Sequence, residues 1–278
     1  MKLSLIVAPY DSGRRHEGFG KGPDALLSGG LVEMLTLSGH DVEVEEIGKI
    51  KGLDDREIAT GFAVCRAVAE KVTESRAAGR FPVVLSGNCL TTCGAIAGED
   101  ADSLVWFDQH GDINTPETSP YGFLDGMALA TALGLCWRPM AKAIPGFEPI
   151  DPAKCMLVDA RDLDPDEKAL LDQLPVIRAE VGEAADKVVA LKETGARRTH
   201  LHIDLDVHDP DELQVNRYAE PGGPQPDAVR EAAACMARSV PIVGLTLSAY
   251  DPAFDAKGEV PPAVGKLIVD FLAAQERI

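Results

Sequence analysis

The sequence predicts an α/β protein whose mainly parallel sheet is covered by helices on both faces. Three observations carry this: short apolar runs recur along the chain, longer segments of helical period separate them, and the connections between the two are brief. The runs fall at residues 3–8, 82–85, 103–107, 155–158, 199–203 and 241–247, and are rich in Val, Leu and Ile, as strands buried on both faces require. The first helix is expected over 22–38, opening at Gly22-Pro23 and stopping at Gly39. A second, over 55–78, carries Ile58, Phe62, Cys65, Val68, Ala69 and Val72 at three- and four-residue steps, with Gly79 beyond its end. Further helices are expected over 166–174, 179–194, 225–238 and 262–275. No linker, low-complexity tract or repeat interrupts this order, so residues 1–278 read as a single domain.

Composition narrows the function. The 278 residues hold 27 Lys+Arg against 45 Asp+Glu, a formal net charge of −18, which argues against binding nucleic acid or anionic membranes. The apolar start Met1–Ala8 runs straight into Pro9-Tyr10-Asp11 and reads as a strand rather than a secretory signal. No run approaches the 18 or so apolar residues of a membrane span. Six cysteines without a CxxC pair suit buried thiols in a reducing cytoplasm, the expected location.

Two segments carry chemistry. Residues 103–107 lead into Asp108-Gln-His110-Gly-Asp112, and residues 199–203 lead into Asp204-Leu-Asp206. If each strand continues, its two-residue period aims Asp108, His110 and Asp112 to one side, and Asp204 with Asp206 likewise. Ionised groups converging at a buried strand end repel one another, and a divalent cation removes that cost. Two such ends in one chain point to a shared, carboxylate-bridged site for one metal or a close pair. Asp209 falls outside the alternation and is expected to orient the ligands from behind. His200 and His202 are expected to pack in the core or support ligands. His16 and His40 read as loop histidines. Cys89 and Cys93 lack a His–Asn partner set for nucleophilic catalysis, and Gly18–Gly22 lacks the trailing Lys-Ser/Thr of a phosphate loop.

In this order the motifs resemble the ureohydrolase (arginase/agmatinase) superfamily. The resemblance rests on Asp108-Gln-His110-Gly-Asp112-Ile-Asn114-Thr-Pro116 and Asp204-Leu-Asp206-Val-His-Asp209-Pro210. It extends to Gly20-Lys-Gly-Pro23, Gly30-Leu31, Arg161-Asp-Leu-Asp164-Pro-Asp-Glu167 and Glu220-Pro-Gly-Gly223, and so covers nearly the whole chain. It implies a three-layer αβα sandwich with an eight-stranded, mainly parallel sheet. It also implies hydrolysis of guanidino or amidino C–N bonds at a binuclear Mn2+ site, and assembly as a homotrimer or hexamer. The implied metal ligands are Cys89, Asp108, Asp112 and Asp204 at the first position, and Asp108, His110, Asp204 and Asp206 at the second. Asn114 and Ser119 match residues that hold a substrate carboxylate, Tyr121 replaces a small serine there, and Asp164 and Glu167 match those near an α-amino group.

The departures from the family pattern are informative. Where the family has Gly-Gly-Asp-His, this chain has Ser86-Gly87-Asn88-Cys89, a change that resembles the hydroxyarginine amidinohydrolases. The resemblance makes Mn2+ the leading expectation, and the soft thiolate, which suits Zn2+ better, makes Zn2+ the alternative, with one or two ions per chain. The family's proton-shuttling His is replaced by Asp125, whose pKa must rise toward the working pH if it is to relay protons. The Glu that faces a guanidinium is replaced by Ala249, which argues against plain arginine as substrate. The expectation is therefore a metal-dependent hydrolase of a non-peptide C–N bond in a small amidino, guanidino or amide-type molecule. The alternative is a catalytically silent ureohydrolase-like subunit or binding protein.

Overall fold

A computed structural model describes residues 1–51 and 56–276. Eight strands among these residues form one sheet: β1 (Lys2–Ala8), β2 (Asp41–Glu46), β3 (Phe81–Ser86), β4 (Ser103–Phe107), β5 (Cys155–Val158), β6 (Ile177–Ala179), β7 (Thr199–Asp204) and β8 (Ile242–Ser248). Their spatial order is β2-β1-β3-β8-β7-β4-β5-β6 and every pairing is parallel. The helices are α1 (Gly22–Ser28), α2 (Leu31–Leu37), α3 (Glu57–Ala77), α4 (Thr92–Glu99), α5 (Ala128–Ala132), α6 (Arg138–Ala141), α7 (Pro165–Leu171), α8 (Ala184–Glu193), α9 (Pro226–Ser239) and α10 (Val260–Gln275).

Alternate residues of each strand feed opposite cores. Leu5, Val83, Phe107, Leu201 and Leu245 pack under α1, α2, α8, α9 and α10. On the other face Ile6 and Val84 lie under α3, and Trp106 and Leu157 join the cluster of α3, α4 and α5. This is the expected three-layer sandwich. Full burial of each large side chain contributes about 1.5–3 kcal/mol, which explains why the six apolar runs became strands.

The sequence reading misses the two edges. β2 has a largely exposed pattern, and β6 is three residues long and only partly covered, so neither shows a buried strand's apolar run. Residues 177–179, counted in part within the expected helix 179–194, pair with β5, and α8 begins only at Ala184. The expected helix 22–38 breaks in two, because Gly30 takes φ +93° and starts α2 from the left-handed region. Of the expected helix 55–78, Asp55 lies outside the described residues.

The topology brings the carboxyl ends of β3, β8, β7 and β4 side by side at the centre of the sheet. These four ends deliver Cys89, Ala249, Asp204 and Asp108. Open parallel sheets place their ligand crevices in this position.

Candidate metal centre

β4 ends at Phe107, and the chain then turns instead of continuing as a strand. Asp108 is fully buried; its Oδ1 accepts from the backbone N–H of His110 at 2.7 Å and its Oδ2 from Trp106 Nε1 at 3.0 Å. His110 Nδ1 lies 3.3 Å from Asp108 Oδ1 and 3.5 Å from Asp206 Oδ2. Asp112 adopts φ +49°, so the strand alternation expected to aim it beside Asp108 does not hold, and a left-handed turn carries it to the cavity. The second motif behaves the same way. Asp204 closes β7 and its Oδ1 accepts from the N–H of Asp206, which sits in the 3-10 turn Leu205–Val207. The convergence is thus built by two turns at adjacent strand ends.

Cys89 enters from the 3-10 turn after β3. Its Sγ donates to Asp204 Oδ2 at 2.8 Å and lies 3.1 Å from Ser248 Oγ. Two groups of donor atoms lie within 4.8 Å of one another: Cys89, Asp108, His202 and Asp204, and Asp108, His110 and Asp206. Asp112 falls in neither group. Burial, reinforced by repulsion from Asp108 and Asp125, pushes its carboxyl well above the usual range. Burial followed by repulsion from Asp206 and Asp108 does the same to Asp204, and burial followed by Asp204 and Asp125 raises the Cys89 thiol. Burial also works against ionised Asp206, but attraction to His110 holds it below its ordinary value. Buried Asp112 Oδ2 and Asp206 Oδ1 have no hydrogen-bond partner. Orphaned, mutually repelling carboxylate oxygens are the pattern that a divalent cation satisfies, so these residues fit a metal site.

The groups that orient the donors were not anticipated. Trp106 donates to Asp108, and Asn216 Nδ2 donates to Asp206 Oδ2 at 3.3 Å and to the Ala249 carbonyl at 2.8 Å. Asp209, expected in this role, instead accepts from the N–H groups of Asp211 and Gly222 and ties its own loop to the Pro-Gly-Gly turn. Trp106 stands two residues before Asp108 and Asn216 ten residues after Asp206, and only the fold shows that their side chains meet these carboxylates.

A cavity of about 590 Å³ opens above the donors, lined by Cys89, His110, Asp112, Asp204, Asp206 and Ala249 at its base. Asn114, Ser119, Tyr121, Asp125, Asp164 and Glu167 also line it. Asn114 Nδ2 donates to Asp164 Oδ2 at 3.1 Å, Ser119 Oγ accepts from Gly122 N–H, and Tyr121 is 90% exposed. Glu167 is buried and accepts from the N–H groups of Ile113 and Asp164, so its carboxylate braces the cavity wall. Phe19 and Phe123 flank Tyr218 at centroid distances of 5.8 and 6.4 Å, giving the pocket aromatic walls.

Asp125 stands in a 3-10 turn before α5, its two oxygens accepting from Leu90 N–H and Asn88 Nδ2, each at 2.9 Å. Burial raises its pKa to about 6 in spite of these bonds. Ala249 is buried at φ +63° and lines the cavity. Cys93 is fully buried beneath α5, as expected of a packing residue, and all six cysteines are free thiols.

A family model described as the arginase family matches residues 1–273. An arginase of Bacillus caldovelox is 33% identical over 232 residues, covering 75% of this chain and 77% of that protein. The solved structure of Bacillus subtilis arginase aligns with TM-score 0.87 at 27% identity, covering 98% of each chain. A formimidoylglutamase structure from the same bacterium, at 14% identity and TM-score 0.76, covers 99% of this chain and 87% of that one, and shares the fold.

Proposed function

The chain belongs to the arginase family, and from that premise we propose that it hydrolyses a non-peptide C–N bond in a small amidino, guanidino or amide-type substrate, with metal-activated water. The observation that carries this reading is the cluster of buried, partly orphaned carboxylates at the adjacent ends of β4 and β7 beneath a cavity. Asp108, His110, Asp204 and Asp206, with Cys89 and Asp112, are the proposed ligands of one or two divalent ions, Mn2+ or Zn2+. A bound ion supplies a water of lowered pKa and polarises the scissile group.

The chain's own residues do the rest. Asn114, Ser119 and Tyr121 contact the substrate's polar end, with Asp164, which accepts from Asn114, and Glu167 beside them. Asp125, with its pKa near neutrality, holds and moves a proton at the side of the cavity. Ala249 presents a methyl group where a guanidinium would need a carboxylate, which supports a substrate other than plain arginine. Ala249 also favours the second reading, a silent subunit that keeps the metal site. No helix among the described residues is long and apolar enough to cross a membrane. A cytoplasmic homo-oligomer, trimeric or hexameric, completes the proposal.

The test is a substrate screen on protein loaded with Mn2+ or Zn2+. Release of ammonia or urea from an amidine or amide supports the enzyme. Rapid urea release from arginine overturns the substrate assignment, and a metal-replete protein inert across the screen favours the silent subunit.

A further inference from the structure

His202 sits on β7 two residues before Asp204, on the same face and one step deeper in the sheet. It is fully buried and stacks on Trp106 at a centroid distance of 3.6 Å. Thr92 Oγ1 lies 2.7 Å from its Nδ1 and occupies that nitrogen. Its Nε2 has only a long contact, 3.4 Å to Ser248 Oγ, and the same hydroxyl lies 3.1 Å from Cys89 Sγ. His202 thus belongs to a compact donor set with Cys89, Asp108 and Asp204.

Cys89 Sγ, a His202 ring nitrogen and carboxylate oxygens of Asp108 and Asp204 all lie within 4.8 Å of one another. Asp112 lies outside the four-donor set. One sulfur, one imidazole nitrogen and two carboxylates form a tetrahedral donor set for Zn2+, whose ligand atoms stand about 3.5 Å apart. The other group, Asp108, His110 and Asp206, offers oxygen and imidazole alone, which a harder ion accepts.

We propose that Cys89, His202, Asp204 and Asp108 form a thiophilic metal position selective for Zn2+ over Mn2+, with His202 rather than Asp112 the direct ligand beside Cys89, next to a harder position at Asp108, His110 and Asp206. This rests on the metal-dependent reading above and makes the two positions chemically unequal. Thr92 fixes the imidazole in the way that a ligating histidine's far nitrogen is normally held.

Co2+ serves as the spectroscopic probe. Metal-stripped wild type, Cys89→Ser, His202→Gln and Asp112→Asn are titrated with Co2+ and then with Zn2+ and Mn2+ in competition. The wild type should show a near-ultraviolet sulfur-to-cobalt charge-transfer band and tetrahedral visible bands, and should select Zn2+ at one site. Cys89→Ser should lose the charge-transfer band. His202→Gln should change the visible bands and weaken Zn2+ by more than about 100-fold, beyond the 10–100-fold typical of a residue that merely supports a ligand. Asp112→Asn should leave the bands in place. X-ray absorption on wild-type zinc protein needs no variant and should count one sulfur and one imidazole at that ion. Unchanged bands in His202→Gln together with their loss in Asp112→Asn, or a zinc shell without sulfur, overturns the proposal. Failure of every form to bind any divalent ion would instead overturn the metal-dependent reading itself.

Discussion

Asp125→Asn gives a stability signature that can be worked from the structure. The wild-type carboxyl is buried, and its pKa rises from 3.8 to about 6, which corresponds to about 3 kcal/mol favouring the protonated form in the fold. For a group whose folded pKa is raised, the contribution to stability is fully present below the unfolded value. It is lost as pH climbs through the folded value. The asparagine is neutral throughout and has no such decline. Near pH 4 the protonated carboxyl and the amide each present one good acceptor oxygen to Leu90 N–H and Asn88 Nδ2, so the hydrogen-bonding difference is smallest there. In metal-free buffer, urea unfolding should therefore show the wild type losing up to about 3 kcal/mol relative to the variant, so that the wild-type-minus-variant difference falls between pH 4 and pH 7. Comparing the two proteins cancels the titration of groups that do not sense residue 125. A difference that stays constant from pH 4 to 7, or grows with pH, would refute the argument that Asp125 is buried with a raised pKa (both pH limits are set at about the 3.8 and 6 values and beyond).

Three further outcomes follow from particular contacts. Trp106→Phe removes the indole donor to Asp108 and should weaken metal binding about 10–100-fold, measured by calorimetric titration, with the fold retained. Gly94→Ala would place a β-carbon 2.2 Å from the Cys65 carbonyl where α4 crosses α3; urea unfolding should show a loss of about 1–3 kcal/mol. Ala249→Glu returns a carboxylate to the cavity and should tighten a guanidinium ligand such as agmatine by about tenfold or more in its dissociation constant, the worth of one charge-assisted bond.

The centre of the fold is legible in the sequence because its strands are buried on both faces and so must be apolar throughout. β2 and β6 are not legible, because edge strands need bury only part of their surface. The carboxylates at Asp108 and Asp204 stand out because apolar runs end on them. The route by which they converge was misread: Asp112 reaches the cavity through a left-handed turn and Asp206 through a 3-10 turn, where a continuing strand had been expected. His202 and Ser248 gain their meaning from neighbours on other elements, and Trp106 and Asn216 from side-chain bonds to Asp108 and Asp206, so their roles appear only in the fold. Ala249 was legible as an absence, and it lines the same cavity as Asp204 and Asp206.

Metal content tests the central claim most directly. Wild type and Asp204→Asn are stripped, supplied with Mn2+ and Zn2+, desalted, and measured by elemental analysis. The account predicts about one to two ions per wild-type chain and a sharp loss in the variant, because Asp204 belongs to the donor group of Cys89, Asp108 and His202 and accepts from the backbone N–H of Asp206. Less than about 0.2 ion per wild-type chain, or full occupancy without the Asp204 carboxylate, would contradict it.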